Sequence, residues 1–354
     1  MNNKQQFEPL FEPFNLGNLN LKNRIVMAPM TRNASPNGIP GQNVRDYYTR
    51  RAENNVSLII TEGTFINHPD VASEVPAWQH DVPHMYGELA LKGWADVVNS
   101  VHNAGGKIFS QLWHMGGRGN VDDYTTQEIN GLIDAYVEGA LNAQKVGFDG
   151  IELLAGHGFL IDQFFWERTN HRTDNYGGSL AKRSTFASEL VGSIRRAVGP
   201  NFPISFRISQ WKYNFYQEKL ANNPEELETF IKPISEAGVD IFHGSTRRFW
   251  EAEFKNSELN LSGWIKKVTG KPTITIGSIS LEGSDFINYF DEGREAEHNT
   301  NKMTGLVHKL ENGEFDLVAV GRAILADPEW AMKIKKGKVN ELKSFTKDAQ
   351  EKLY

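Results

Sequence analysis

A (β/α)8 barrel, the TIM-barrel class of α/β folds, is what this sequence predicts, on two observations. Eight short apolar or β-branched runs recur along the 354 residues, and amphipathic helical stretches lie between them. Near-continuous apolar strands alternating with such helices imply a parallel sheet covered by helices. Eight units in one chain favour closure of that sheet over an open edge.

The predicted strands are Arg24–Met30, Val56–Thr61, Lys107–Trp113, Gly150–Leu153, Ile204–Ile208, Val239–His243, Thr273–Gly277 and Phe315–Val320. Gly, Pro or Asp turn chemistry bounds each of them. Among the helices, Tyr86–Asn103 carries Leu89, Trp94, Val97, Val98 and Val101 close to a 3.6-residue period. Thr126–Val146 opens on the N-cap region Thr125-Thr126-Gln127-Glu128 and stops before Gly147. Ala181–Val198 and Pro224–Ala237 read the same way. Phe14–Leu21 reads as a hairpin turning at Gly17-Asn18, expected across the bottom of the barrel. With no repeat, low-complexity tract or linker, one domain is expected over residues 1–354, its barrel core spanning about 22–335.

Composition narrows the function. Hydrophobic residues make up 39% and charged residues 23%, the balance of a globular enzyme rather than a disordered chain. A net charge of −6 gives no general positive field for nucleic acid. The absence of cysteine excludes disulfides, thiolate nucleophiles and Cys-ligated metals. No apolar leader opens the chain and no apolar run reaches membrane-spanning length, so a cytoplasmic protein with no membrane partner is expected. A homo-oligomer is compatible with all of this.

A barrel of this class works at the C-terminal ends of its strands. Those ends carry Pro29-Met30-Thr31-Arg32, Glu62-Gly63-Thr64, Gln111-Leu112-Trp113-His114, Glu152 through His157, and Arg207-Ile208-Ser209. The last two strands end in Gly277-Ser278 and Gly321-Arg322. The loops after strands seven and eight are the usual phosphate site, where Gly admits an anion to the backbone and Arg can pair with it. The competing reading is two tight turns and a surface arginine. Gln111 offers a donor and an acceptor to the edge of a heterocycle, or is a satisfied buried amide. Arg207 stabilises an anionic ring edge, or pairs with a strand-end carboxylate.

The runs NRIVMAPMTR (23–32), ITEGT (60–64), HNAGGKIFSQLWHMGGR (102–118) and GFDGIELLAGHGFLIDQFFWERTNHRTDNYGGS (147–179) resemble the motifs of the old yellow enzyme family. So do FPISFRIS (202–209), ITIGSIS (274–280) and DLVAVGRAILADPEW (316–330), in the family's order. The resemblance implies FMN as cofactor, NADH or NADPH as reductant, and an α,β-unsaturated carbonyl or similar electron-poor small molecule as acceptor. It implies that Pro29, Met30 and Thr31 line the flavin, with Thr31 near its O4/N5 edge, and that Gly63 packs near the ring. Gln111 would bind the pyrimidine edge and Arg207 the N1/O2 region. Gly277, Ser278, Gly321 and Arg322 would hold the phosphate, and Trp113 would wall the substrate side.

Three departures stand out. The family's carbonyl-binding run begins with His and ends with a proton-donating Tyr. Here it reads Leu154-Ala155-Gly156-His157-Gly158-Phe159, so only His157 remains as candidate catalytic residue, with Leu154 and Phe159 as apolar substrate contacts. The loop after strand three is also short, bridged by Gly116–Tyr124. A lost donor to a developing enolate costs about 2.7–4 kcal/mol of barrier, and a lost positioned acid on the order of 10²–10⁴ in rate. Two functions therefore compete: an FMN-dependent NAD(P)H oxidoreductase, or a diverged FMN-binding protein with weak or no ene-reductase activity. A third, a flavin-free phosphate-binding isomerase or aldolase, is weaker. His80 and His84 are spaced as a helical metal pair, but Pro83 argues against that helix. The basic run Lys333–Lys338 reads as a solvated helix face.

Overall fold

The structure is a computed structural model and describes residues 3–71, 81–117, 120–285, 287 and 292–353. The hairpin of β1 (Phe14–Leu16) and β2 (Leu19–Leu21) turns at Gly17, whose φ of 56° suits the turn. The strands β3 (Ile25–Met27), β4 (Leu58–Phe65), β5 (Lys107–Trp113), β6 (Gly150–His157), β7 (Ile204–Lys212), β8 (Ile241–Ser245) and β9 (Thr273–Ile276) follow. A two-residue ribbon pairs β10 (Leu281–Glu282) with β11 (Glu297–His298). Then β12 (Leu317–Val320) pairs with both β9 and β3, closing a parallel barrel of eight strands. This is the (β/α)8 barrel expected from the alternation.

Two apolar layers hold it. Val26, Ala28, Leu58, Ile60, Phe109, Ile241, Ile274, Leu317 and Ala319 pack together with Phe14, Leu19 and Leu21 of the hairpin. The lower half of the barrel is thus a filled core, plugged from below by β1 and β2. The outward faces of the strands pack on the helices, whose apolar stripes carry Trp94, Val97, Val98 and Val101 on Glu88–Asn103 and Leu132, Tyr136 and Ala140 on Thr126–Lys145. That second helix begins with a full capping box: Thr125 Oγ1 accepts from the Glu128 N–H, and Glu128 accepts from the Thr125 N–H at 2.7 Å.

The structure corrects several boundaries. The expected helix Ala181–Val198 is two pieces, Leu180–Arg183 and Thr185–Val198. Four strands run further toward the mouth than their apolar runs indicated: β4 to Phe65, β6 to His157, β7 to Lys212 and β8 to Ser245. The basic run is not a solvated face throughout. Lys333 is buried, with Nζ 2.8 Å from Asp327 Oδ2. His80 lies outside the described residues. His84 stacks on Tyr86 with ring centroids 4.5 Å apart.

Gly150 shows how tightly the core is filled. A Cβ there would sit 2.6 Å from the Phe109 ring and 2.8 Å from the Pro203 carbonyl oxygen. Gly150→Ala is therefore expected to cost about 1–3 kcal/mol by overpacking, read as a lower urea midpoint. Adding Phe109→Leu should return part of that loss. Strict additivity of the two changes would contradict the contact.

Candidate active site

Above the apolar layers the barrel interior turns polar. Glu152 of β6 is fully buried at the centre of that layer. Its Oε1 accepts from Gln111 Nε2 of β5 at 2.8 Å, and its Oε2 lies 3.0 Å from Ser205 Oγ of β7 and 2.9 Å from His243 Nδ1 of β8. Burial alone would raise the Glu152 pKa, but His243, Arg207 and Gln111 outweigh it and hold the group below its usual value, so it is a carboxylate. His243 is pushed down, by burial foremost, and stays neutral. Arg207 supplies the compensating positive charge.

Arg207 anchors a second hydrogen-bonded group. Its Nη2 donates to Ser245 Oγ at 3.2 Å, and His157 Nε2 lies 2.9 Å from the same oxygen. Its Nε is buried with no partner, a donor that the protein leaves unused. His157 has a left-handed φ of 63°, fixed by a 2.9 Å bond from its N–H to Ser209 Oγ and by stacking on Trp211 at 4.7 Å. Enclosure, then Arg207 and His243, keeps its imidazole well below the ordinary pKa and therefore neutral.

Gln111 is thus bonded to Glu152, His157 is joined to Arg207 through Ser245, and the two groups are related by the charge attraction between Glu152 and Arg207. Leu154 is the register neighbour of Arg207 and is 5% exposed. Phe159 meets the buried Trp113 edge-on at 4.9 Å, and a Cβ on Gly63 would fall 2.4 Å from the Trp113 ring. The glycine at 63 is required by Trp113. The loop carrying Phe159 is held by Asp162, which accepts from the Gly158 N–H at 2.7 Å and from Trp166 Nε1 at 2.9 Å.

On the opposite arc, Pro29 is buried while Met30 and Thr31 are partly exposed. Above Gly321 the space is open: a Cβ there would meet only Met30 Sδ and Ala28 Cβ, at 3.7 and 3.8 Å. Gly277 has φ 140° and lies against the backbone of residues 247–249, and Ser278 Oγ donates to the Arg247 carbonyl at 3.0 Å. The Arg322 guanidinium donates to the Ser284 and Asp285 carbonyls at 2.8 and 3.1 Å.

An unpartnered buried arginine nitrogen on one side and an open glycine floor on the other suit a planar, partly anionic ring with a phosphate tail. The residues present fit FMN on these grounds. The sequence reading did not single out Glu152, His243 or Ser245 as site residues. A carboxylate and an imidazole inside apolar strand runs are signals for the first two. Ser245 carries none. Among the described residues no group of three or more His, Asp or Glu side chains is arranged to hold a metal, and no helix is long and apolar enough to cross a membrane.

Glu62 supports the Thr31 arc from beneath. Its Oε2 accepts from the Arg32 N–H at 2.7 Å, while Oε1 is buried without a partner. The Arg32 side chain donates in turn to the Gln350 and Lys352 carbonyls at 2.7 and 2.9 Å. Burial pushes the Glu62 carboxyl up to about 7, against the opposing pull of the Arg32 N–H and charge and the Asn33 N–H. The folded chain therefore binds a proton between the ordinary carboxyl value of 4.5 and about 7 that the unfolded chain has released. Stability should fall as pH rises through that window. Urea midpoints at either end of it should show this loss in the wild type and a smaller one in Glu62→Gln. Equal slopes would contradict the burial effect.

Comparison with known proteins identifies the family and the fold. The model of the NADH:flavin oxidoreductase / NADH oxidase family matches residues 9–128 and 122–293. The chain is 33% identical over 369 residues to the NADH oxidase of Thermoanaerobacter brockii, covering 95% of this chain and 52% of that protein. It thus spans about half the length of that relative. Against 12-oxophytodienoate reductase 2 of Arabidopsis thaliana it is 30% identical over 361 residues, covering 92% of this chain and 88% of that protein. The solved old yellow enzyme homologue from Zymomonas mobilis superposes with a TM-score of 0.76 at 23% identity, over 97% of this chain and 96% of that one. Morphinone reductase in complex with tetrahydroNAD gives 0.76 at 24%, over 96% and 93%. At those identities the structural likeness speaks for the fold.

Proposed function

The chain belongs to the NADH:flavin oxidoreductase / NADH oxidase family, with the fold of the old yellow enzymes, and from that premise we propose that it reduces α,β-unsaturated carbonyls or similar electron-poor acceptors. FMN, when bound, would supply the two-electron redox chemistry between NADH or NADPH and the acceptor. The observations that support the reading are the two hydrogen-bonded groups Gln111–Glu152 and Arg207–Ser245–His157, which set an amide, a cation and a neutral imidazole on adjacent strands.

Each residue then has a role. The fixed charge of Arg207, with its unused Nε, faces the N1/O2 region, and Gln111 takes the pyrimidine edge. Pro29, Met30 and Thr31 line the ring, and the backbone of Gly277-Ser278 and Gly321-Arg322 holds the phosphate. His157, uncharged, gives the acceptor carbonyl one hydrogen bond. Leu154, Phe159 and Trp113 exclude water around the alkene and favour an apolar acceptor. Phe159 has no proton to give, so the acid that serves the second carbon is not at this position.

A second reading, an FMN protein with weak or no ene-reductase activity, draws support from the same two positions: Leu154 buried, and Phe159 packed against Trp113. Anaerobic mixing of the FMN-loaded protein with NADH or NADPH, then with cyclohexenone, separates the readings. Bleaching of the flavin band and its return on adding the enone is the expected course. Bleaching with no return supports the second reading, and failure to bleach with either nicotinamide rejects the first. Restoring a donor and an acid with Leu154→His and Phe159→Tyr should raise enone turnover, by roughly 10²-fold for a positioned acid. No gain in the folded, FMN-loaded double variant would remove the role assigned to these positions.

A further inference from the structure

The reading of His157 as the acceptor contact raises a question that its geometry answers: which ring nitrogen carries the proton. Both nitrogens are equivalent candidates in a free imidazole, and only a protonated one can donate to a carbonyl. His157 Nε2 lies 2.9 Å from Ser245 Oγ, and Arg207 Nη2 lies 3.2 Å from that same oxygen. A guanidinium only donates, so Ser245 Oγ accepts from Arg207. Ser245 is 4% exposed, and among the described residues its hydroxyl has only these two partners. If His157 Nε2 also donated, the hydroxyl would accept twice and its own proton would be buried without an acceptor. That arrangement forfeits a hydrogen bond in an enclosed site. If the hydroxyl donates to Nε2, every group is satisfied.

We infer that Ser245 is a positioning residue that locks neutral His157 in the tautomer protonated on Nδ1, leaving that N–H to donate to the acceptor. The inference rests on the proposed role of His157 and adds the residue that orients it. Nδ1 makes no hydrogen bond among the described residues, and part of His157 remains exposed, so the donor is available. The Trp211 stack holds the ring plane, and a half-turn within that plane would put a ring carbon opposite Ser245 Oγ and lose the 2.9 Å bond. The charge on Arg207 strengthens the relay: it polarises the Ser245 hydroxyl toward His157 and disfavours a second proton on the ring. A single string thus ties the cation at the ring to the donor at the substrate.

The tautomer can be read directly. In FMN-loaded protein labelled with ¹⁵N-histidine, His157 is assigned by comparison with His157→Gln. The expected wild-type spectrum has Nδ1 in the protonated and Nε2 in the unprotonated range at neutral pH. Ser245→Ala should shift the population toward Nε2–H and raise the pH at which the ring protonates. It should also lower enone turnover by roughly 10–10²-fold, the scale of a misdirected donor. Ser245→Thr, which keeps the hydroxyl, should restore both the spectrum and the rate. A wild-type ring protonated on Nε2, or a tautomer unmoved by Ser245→Ala, overturns the inference and leaves the role of His157 standing. Full enone turnover in His157→Ala with the Nδ1–H tautomer intact overturns that role and leaves the lock by Ser245 standing.

Discussion

A carboxylate sealed inside a barrel is the constraint on which the rest of this structure depends. Glu152 has no water to solvate it, and an isolated buried charge is costly. It is tolerated because three neighbouring strands supply hydrogen bonds from Gln111, Ser205 and His243, and because Arg207 balances its charge. Each of those partners is thereby fixed in rotamer and direction. The same residues that make the anion tolerable are those that face the mouth, so stability and site geometry share one network. Loss of the carboxylate would free Gln111, strand His243 and leave Arg207 as the uncompensated charge.

That network also divides the barrel. Below it, the interior is filled with aliphatic side chains and Phe109, and the hairpin β1–β2 closes the end. Above it, the surface is polar and incompletely paired, with unpartnered buried atoms on Arg207, Glu62 and His243. A folded chain keeps few such atoms without reason. Here they ring the position where the fold class places its chemistry. Leu154, Phe159 and Trp113 contribute the apolar side chains at this end.

The fold was legible because its signal is periodic and strong: eight apolar runs, each between turn residues, need no long-range information. The site was legible only in outline. Gln111, Arg207 and His157 stood out as polar residues at strand exits, and the structure sets them on adjacent strands, with Ser245 joining the last two. What could not be read was the pairing across strands. Glu152 in GIELLA looks like a lone charge until Ser205 and His243 are seen beside it. Ser245 gives no compositional sign at all. Strand ends were underestimated for the same reason: polar residues at the ends of β6, β7 and β8 break the apolar pattern while continuing the ladder. The residues that make the site are those that hide the strand from a hydrophobicity reading. The basic run Lys333–Lys338 failed differently, because Asp327 offers Lys333 a buried partner that charge counting along the chain does not reveal.

Closure of the barrel between β12 and β3 has a consequence for how the molecule is made. Ile25 pairs in register with Val318, so nearly the entire polypeptide separates two adjacent strands. Contacts of such long sequence separation carry a loop-closure cost and form late. Until then β3 and β12 each present an unpaired edge able to recruit another chain. The floor between Met30 and Gly321 spans that same seam. A cofactor arriving early during synthesis would find half a cradle, so it can capture the finished barrel but cannot nucleate it.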